Sequence, residues 1–315
     1  MVIVYSSDEN YVQHMAVSMV SLFRSNEDVE EINVFIIANQ ISDDSKSKLV
    51  TLANSFGRSI YWIDFVPFGE RLALDMEWPI SVSSYARLFL AEMLPEWCSR
   101  AIYLDCDTIV CDNLSHLCNL DMKGYLVAGV KDLIRDDFKH RIGLASLDIY
   151  INAGVMLIDL SSWRKKSIQK DFLLFISERM GRVTHHDQGV INGVLKGQML
   201  VLPPRYNSLT PFFTYKYVNL LEFYNAKPYY SEDEIIEAVN HPAIIHFTPE
   251  FVGRVWEEKC KHPKASLYKE YLDETCWKGN IRKAEPLPLK LRLLYWMYRN
   301  LPAPLMQFII NLRKK

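Results

Sequence analysis

The N-terminal part of the chain alternates between short runs of β-branched residues and longer segments with helical periodicity. The segments typical of strands are residues 2–5, 32–38, 60–64 and 101–104. The segments with one apolar helical stripe are residues 11–24, 43–56 and 81–94. Such an alternation predicts an α/β fold in which helices flank a Rossmann-like, mostly parallel sheet. It also predicts that ligands bind at the carboxyl ends of the strands.

The composition fits one large folded domain with an appendage. Of the 315 residues, 49% are apolar and 23% are charged, which excludes disordered and collagen-like classes. The net charge is only −2, so no nucleic-acid partner is expected. This balance hides an asymmetry, because residues 286–315 carry a charge of +6 and the rest of the chain −8. We expect a catalytic domain over residues 1–280 and a separate segment over residues 281–315.

The cellular compartment is predicted from the N-terminus and the cysteines. The chain begins MVIVYSSDENY, which lacks the basic and apolar regions of a signal peptide. The six cysteines form no CxxC pair and have no partners at zinc-ligand spacing, so we interpret them as packing residues in a reducing cytosol. No uncharged apolar run approaches the ~20 residues that span a bilayer. A cytoplasmic protein is expected.

Polar residues directly after predicted strands are the first candidates for a site. Asp105 and Asp107 place two carboxylates one residue apart where an apolar strand ends. Carboxylates combined with phosphate oxygens are typical ligands of Mg²⁺ or Mn²⁺ in nucleotide sites. By itself this DxD pattern also fits acids that only cap a strand. It further resembles the nucleophile motif of haloacid-dehalogenase-type phosphatases, but no GDxxxD segment follows and a full α/β cycle precedes it.

Six ordered segments carry a stronger resemblance. They are IVYSSDENY (3–11), SYARL (84–88), YLDCD (103–107), YINAGVMLI (150–158), HDQGVIN (186–192) and IHFT (245–248). Together they resemble retaining glycosyltransferases of family 8 over roughly residues 1–260, and among them bacterial enzymes that build lipooligosaccharide, lipopolysaccharide or capsule. The resemblance implies a GT-A fold with a small helical C-terminal extension, and a hexose, galactose or glucose, as the sugar transferred.

The resemblance also implies a UDP-sugar donor and a Mn²⁺ ion, with Mg²⁺ as a second choice. The metal ligands would be Asp105, Asp107 and His246. The remaining nucleotide contacts would come from residues near the first strand and the DxD motif, namely Ser6, Ser7, Asp8, Asn10, Tyr11 and Cys106. Asp8 can pair with the uracil imide. The alternative role of Asn10 is an N-cap for the helix that follows, and the two roles are compatible.

Four residues are implied to act on the donor sugar, namely Arg87, Asn152, Asp187 and Gln188. For each, a structural role remains open. Arg87 could pair with a buried carboxylate, Asn152 could satisfy a strand bulge, and Asp187 could cap a helix. Asp132 is a further candidate near the sugars.

The residue implied to lie beneath the anomeric carbon is Gln188. An amide is a poor nucleophile, so we expect front-face substitution rather than the covalent intermediate of retaining glycosidases. The chain departs from the family after His246, where a phosphate-binding lysine is absent. Gly253 and Arg254 are the best substitutes, since a guanidinium can bind a diphosphate with two hydrogen bonds.

The acceptor and the membrane are expected at the C-terminal side. Residues 207–240 are rich in Phe and Tyr, which either pack a helical lobe or stack on an acceptor sugar. Residues 286–315 mix Leu, Trp and Tyr with basic residues, which predicts an anchor on an anionic membrane surface near a lipid-linked glycan acceptor. A peripheral position on the inner face of the cytoplasmic membrane follows. A helical pair docked on a protein surface and a non-catalytic UDP-sugar-binding protein are the alternatives.

Overall fold

The structure is a computed structural model that describes residues 1–72, 82–226, 228–283, 288–301 and 305. The first residue of the helix predicted over 81–94 and most of the segment 302–315 lie outside this range. Among the described residues, no helix is both long and apolar enough to cross a membrane.

Within the described part of the chain, ten strands form two sheets. They are β1 (Val2–Asp8), β2 (Asn33–Asn39), β3 (Ser59–Asp64), β4 (Arg100–Leu104), β5 (Thr108–Val110), β6 (Val127–Lys131), β7 (Ile151–Asp159), β8 (Met199–Val201), β9 (Ser208–Leu209) and β10 (Ile244–His246). The large sheet has the order β3-β2-β1-β4-β7-β6-β8, and the small sheet has the order β5-β10-β9.

Fourteen α-helices lie among the described residues. They are α1 (Val12–Ser25), α2 (Asp43–Ser55), α3 (Val66–Gly69), α4 (Leu90–Met93), α5 (Ser115–Cys118), α6 (Asp136–Arg141), α7 (Leu160–Lys166), α8 (Ile168–Glu178), α9 (His186–Val194), α10 (Thr210–Thr214), α11 (Tyr217–Tyr224), α12 (Glu232–Asn240), α13 (Ala265–Leu272) and α14 (Leu289–Asn300). Three 3-10 helices cover Glu9–Tyr11, Val82–Phe89 and Pro204–Asn207.

The large sheet confirms the predicted α/β class. Strands β1 to β4 run parallel, as the alternation with α1 and α2 predicts. The exception is β7, which pairs antiparallel with both β4 and β6. Because helices cover both faces, β1 and β2 are buried over nearly their whole length. Two large apolar clusters therefore fill the two sides of the sheet.

The segment predicted as one helix over residues 81–94 is different in the structure. It is a 3-10 helix over Val82–Phe89 that continues into the single turn α4. A 3-10 helix has three residues per turn, so Arg87 lies directly above Ser84 and its Nε donates to the Ser84 carbonyl at 3.0 Å. The tighter winding therefore fixes the direction in which the Arg87 side chain leaves the 3-10 helix.

The small sheet brings the C-terminal half of the chain to the edge of the large one. Strand β5 follows the DxD motif directly and pairs antiparallel with β10, with Thr108 opposite His246. The end of β10 and the turn between β4 and β5 therefore lie side by side. Further along, the Asn280 side chain donates to Gln13 at 2.7 Å, which ties the chain back onto α1.

Candidate active site

Three potential metal ligands meet where β4 and β10 end. Asp105 and Asp107 occupy the turn after β4, and His246 is the last residue of β10. One ligand atom from each lies within 4.8 Å of the others. His246 Nε2 is 3.2 Å from Asp107 Oδ1 and 3.8 Å from Asp105 Oδ2. The structure therefore brings together the three residues for which the sequence implied a shared cation.

The neighbouring charges in this cluster favour the ionised forms of Asp107 and His246. Burial alone would raise the pKa of Asp107, but His246 and Arg254 outweigh that effect and lower it. The balance is opposite for His246. Burial would lower the pKa of its imidazole, but Asp107 and Asp105 outweigh that effect and raise it. Two carboxylates so close together in a partly buried position need a positive partner.

Gly154 on β7 leaves the space between these ligands open. A Cβ atom at this position would lie 2.1 Å from His246 Cε1 and 2.7 Å from Asp105 Oδ2. The Gly154 carbonyl also accepts the backbone N–H of Asp105 at 2.7 Å, which fixes the first carboxylate relative to β7. Two carboxylates, one imidazole and a gap that only glycine permits fit a Mn²⁺ or Mg²⁺ ion.

Arg87 lies between two carboxylates. Its Nη2 donates to Asp105 Oδ1 at 2.8 Å, and its Nε lies 2.9 Å from Asp187 Oδ2. Its Nη1 donates to the Ala153 carbonyl, and its guanidinium lies over the Tyr103 ring at 4.3 Å. Only 5% of Arg87 is exposed. The buried pairing that the sequence left open for this arginine is therefore present, and Arg87 links the DxD turn to α9.

The start of α9 presents Asp187 and Gln188 under backbone strain. His185 and His186 both have left-handed φ values of 60° and 52°, although neither is glycine. Burial raises the pKa of Asp187, and the opposing charge of Arg87 does not fully offset it. A non-glycine residue in the left-handed backbone conformation destabilises the fold by of order 1–3 kcal/mol, and such residues cluster at functional sites.

Gln188 is held by both ends of its amide. Its Oε1 accepts the Ala153 N–H at 3.0 Å, and its Nε2 donates to Asp132 Oδ2 at 2.7 Å. The Asn152 amide also donates to Asp132 Oδ2, at 3.3 Å. Asp132, Asn152 and Gln188 thus form one connected group beside the metal ligands.

The predicted nucleotide contacts Asp8, Asn10 and Tyr11 lie at the carboxyl end of β1. Asp8 Oδ1 accepts the backbone N–H of Asn10 at 2.9 Å, so Asp8 caps the 3-10 helix. The alternative cap at Asn10 is not formed, because α1 begins after Tyr11 without a side-chain cap. Asn10 is exposed, while the Tyr11 ring is half-buried edge-on against Trp256, with ring centroids 5.9 Å apart.

Three further predicted contacts have buried side chains. Ser6 Oγ donates to the Ser83 carbonyl at 2.7 Å, and Ser7 Oγ donates to the Asp8 carbonyl at 2.8 Å. Cys106 Sγ donates to the Ser6 carbonyl at 3.3 Å. These three side chains belong to the packed wall that supports the end of β1.

The segment after β10 brings a cation to the DxD turn. Arg254 Nη1 lies 3.5 Å from Asp107 Oδ2, and its guanidinium lies 5.2 Å from the centre of the Trp256 ring. Nη1 is buried and makes no hydrogen bond within the part of the chain that the structure describes. The preceding Gly253 has a φ of +82°, which a residue with a side chain rarely adopts.

Comparison with known proteins agrees with this geometry. The family model for Glycosyl transferase family 8 matches residues 2–259. The chain belongs to glycosyltransferase family 8. This membership confirms the resemblance in the sequence and leaves the phosphatase alternative without support.

Two curated relatives place this family 8 member among bacterial proteins. It is 29% identical over 278 residues to general stress protein A of Bacillus subtilis, covering 87% of this chain and 94% of the relative. It is 27% identical to lipopolysaccharide 1,2-glucosyltransferase of Escherichia coli K12, covering 88% and 79%.

Solved structures share the fold. The galactosyltransferase LgtC, solved with donor and acceptor sugar analogues, superimposes with a TM-score of 0.73 at 24% identity, over 93% of this chain and 99% of that one. The apo bifunctional enzyme WbbM gives a TM-score of 0.72 at 20% identity, over 89% of this chain and 50% of that one. The family 8 enzyme therefore has the GT-A fold that the sequence implied.

Sequence reasoning did not single out Asn207 or Gly154. Asn207 is fully buried and lies 3.0 Å from His246 Nδ1 through its Oδ1. Its only sequence signal is an amide next to a short apolar run, which is common in proteins. Gly154 lies within a quoted motif, but its role depends on β7 facing β10 across the site, and the sequence does not reveal that arrangement.

Proposed function

We propose that this family 8 glycosyltransferase transfers a hexose, galactose or glucose, from a UDP-sugar to a hydroxyl of a cell-surface glycan precursor with retention of configuration. The observation that carries the proposal is the joining of the Asp105, Asp107 and His246 cluster to Gln188 and Asp187 in one connected network. A diphosphate and a sugar would each find charged partners there.

The three ligands would hold Mn²⁺ or Mg²⁺, which supplies Lewis-acid stabilisation for a departing diphosphate when bound. Arg254 would donate to the diphosphate through its buried Nη1, replacing the lysine that the sequence lacks. Asp8 would accept the uracil imide N–H, and Asn10 and Tyr11 would contact the ribose and base. Positioning and charge stabilisation are the contributions that these side chains make.

On the sugar side, the held amide of Gln188 argues against covalent catalysis. Its carbonyl oxygen already accepts the Ala153 N–H, and an amide is a poor nucleophile. We therefore propose front-face substitution through an oxocarbenium-like transition state. The acceptor hydroxyl attacks on the side that UDP leaves and passes its proton to the leaving β-phosphate. Asp187 and Asn152 orient the sugar hydroxyls, and Gln188 stabilises the cationic ring from the opposite face.

Replacement of Gln188 by alanine is expected to slow turnover by about 100-fold, because one electrostatic contact to the transition state is lost. The product should keep its anomeric configuration, as measured by NMR of the released glycoside. Complete loss of turnover together with a trapped glycosyl adduct on Asp187 would overturn front-face substitution. Asn26→Ala is the matched control for a lost buried amide, because Asn26 bonds to backbone groups of Leu22 and Leu114 and to none of this group.

A partly open pocket lies next to this group and would take the acceptor. Asp132 lines it, so it is continuous with the sugar side of the site. Its other walls include two lysines and two tyrosines, namely Lys131, Lys139, Tyr150 and Tyr229. Aromatic faces combined with charged hydrogen-bonding groups suit a sugar. Of the aromatic residues predicted for the acceptor, Tyr229 is the one that lines this pocket.

The first test is release of UDP from a panel of UDP-sugars with and without Mn²⁺. Metal-dependent release from one donor would support the proposal and identify the sugar. Asp107→Asn is expected to reduce release by about 1000-fold, because it weakens the binding of the cation that would stabilise the departing diphosphate. Asp112→Asn is the control, since that carboxylate is about half exposed and pairs with Arg205 instead. Absence of UDP binding by calorimetry would refute the nucleotide-sugar donor.

We further propose that residues 281–315 bind an anionic membrane surface, near a lipid-linked acceptor. On α14, Leu289, Leu293 and Trp296 share one helical face and are 78%, 53% and 57% exposed. Lys290 and Arg292 are also exposed. An exposed apolar face beside basic side chains is typical of helices that lie in the membrane interface.

We expect the protein to sediment with anionic vesicles but not with neutral ones, because both the basic residues and the apolar face contribute to binding. Trp296→Ser should weaken sedimentation while leaving UDP release intact. Trp97→Ser is the matched control, because Trp97 is equally exposed, at 59%, and lies outside this segment. Equal sedimentation of both variants, or none by the wild type, would contradict membrane binding by α14.

A further inference from the structure

A chain of side-chain hydrogen bonds, with two buried amides and one carboxylate between its ends, connects His246 to Gln188. It runs from His246 through Asn207 and Asn152 to Asp132 and then to Gln188. Asn207 is fully buried, and Asn152 is 7% exposed. Each contact is between 2.7 and 3.3 Å long. The chain therefore joins the metal ligands to the sugar side through side chains alone.

The directions of the hydrogen bonds between Asn152, Asn207 and His246 follow from one backbone group. The Gly154 N–H can only donate, and it donates to Asn152 Oδ1 at 3.0 Å. The Asn207 atom that lies 2.9 Å from the same oxygen must also donate, so it is Nδ2. Asn207 Oδ1 therefore faces His246 Nδ1 at 3.0 Å and must accept. It follows that Nδ1 of His246 carries a proton.

We infer that Asn207 is a positioning residue that holds His246 in the Nδ1–H tautomer and so presents the Nε2 lone pair to the space between Asp105 and Asp107. This inference rests on the metal site of the proposed function. Histidines that bind metals usually donate the other ring N–H to a fixed acceptor, which sets the ring orientation and the tautomer. Here the acceptor is the neutral amide oxygen of Asn207. The backbone N–H of Gly154 sets its orientation through Asn152.

The same geometry gives Asn207 a second role on the sugar side. Its Nδ2 holds Asn152 Oδ1, which leaves Asn152 Nδ2 to donate to Asp132. Asp132 in turn accepts from the Gln188 amide and so keeps that side chain in place. A change at Asn207 should therefore reach both the metal and the sugar, although Asn207 contacts neither.

The test is to measure Mn²⁺ affinity of the full-length protein without donor, from the electron paramagnetic resonance signal of free Mn²⁺. Asn207→Ala removes both hydrogen bonds and should weaken Mn²⁺ binding by about 10- to 100-fold. Asn207→Asp keeps an oxygen for His246 Nδ1–H but cannot donate to Asn152. It should therefore retain Mn²⁺ affinity while kcat for UDP release falls.

Asn26→Ala is the matched control, because Asn26 is equally buried and hydrogen-bonds to backbone groups far along the chain from these residues. It should lower the melting temperature without changing Mn²⁺ affinity. Wild-type affinity in folded Asn207→Ala would overturn the inference, as would an equal loss of affinity in Asn207→Asp. Should the alanine variant not fold, the aspartate variant decides alone.

The outcome also separates this inference from the proposed donor. If the wild type binds Mn²⁺ but no UDP, the proposed donor fails while the affinities of the Asn207 variants still test the positioning role. If the wild type binds no divalent cation, the metal site is absent and the inference falls with it.

Discussion

Replacement of Arg87 by methionine is expected to lower the free energy of unfolding by about 3–5 kcal/mol at pH 7. Methionine fills a similar volume, but it leaves the buried Asp187 and the partly buried Asp105 without their shared positive partner. Urea unfolding followed by circular dichroism measures the loss. Arg87→Lys restores the charge without the planar fork of donors, so it should be intermediate.

The loss in the Arg87→Met variant should depend on pH in a defined direction. Burial already raises the pKa of Asp187, and Arg87 is the main influence that lowers it, so the variant raises this pKa further. A carboxyl group with a higher pKa in the folded state binds more protons when folded, so its contribution to stability improves as pH falls. The difference between variant and wild type should therefore be largest at neutral pH and shrink on acidification.

The control for Arg87 is an arginine in an exposed ion pair. Arg71 Nη1 lies 2.7 Å from Glu92 Oε1, with both side chains more than 40% exposed. Arg71→Met should cost less than about 1 kcal/mol, because water screens such pairs. Equal unfolding midpoints for Arg87→Met and wild type would show that Arg87 does not neutralise the two carboxylates.

Replacement of Gly154 by alanine should reduce Mn²⁺ affinity and turnover by about 100-fold or more, because the added methyl group displaces His246 and Asp105 from each other. The clash is with two side chains that are themselves held by further hydrogen bonds, so neither can move away cheaply. Stability should fall by about 1–3 kcal/mol as well. Calorimetric Mn²⁺ titration and the UDP-release assay measure the two effects.

Gly129→Ala is the control that separates the effect of crowding a buried strand from the loss of the metal site. On β6, a Cβ at this position would lie 2.8 Å from Cδ1 and 3.2 Å from Cβ of Ile151, a buried apolar side chain that is not one of the metal ligands. This variant should lose a similar amount of stability and keep its Mn²⁺ affinity. Gly154→Ala with unchanged affinity would mean that the space beside His246 is not where the cation binds.

The sequence predicted the first half of the fold well because local signals there agree with the tertiary structure. Strands β1 to β4 and helices α1 and α2 each show the periodicity of their burial, and Ser42 caps α2 as expected. The 3-10 form of Val82–Phe89 was missed, because three and 3.6 residues per turn look alike over a short apolar segment.

For the site, the sequence identified which residues carry chemistry better than how they are connected. The cluster of Asp105, Asp107 and His246 could be anticipated because the family resemblance spans both motifs. The pairing of Arg87 with two carboxylates remained one of several alternatives, because it depends on how α9 packs against the 3-10 helix. The role of Asn207 could not be predicted from the sequence. It depends on the direction of its hydrogen bond to His246, which the backbone N–H of Gly154 sets through Asn152.

Strand β7, the antiparallel member of the large sheet, has a consequence for engineering. Its consecutive residues Asn152, Ala153 and Gly154 contact the amide chain, Arg87 and Gln188, and the metal ligands respectively. A library that varies these three positions would lose several functions at once. The pocket beyond Asp132 is lined largely by α6 and the loops around it. Among its described lining residues, Asp132 and Tyr150 are the two that accept hydrogen bonds from the Gln188 amide. Acceptor preference could therefore be redesigned there while donor chemistry is kept.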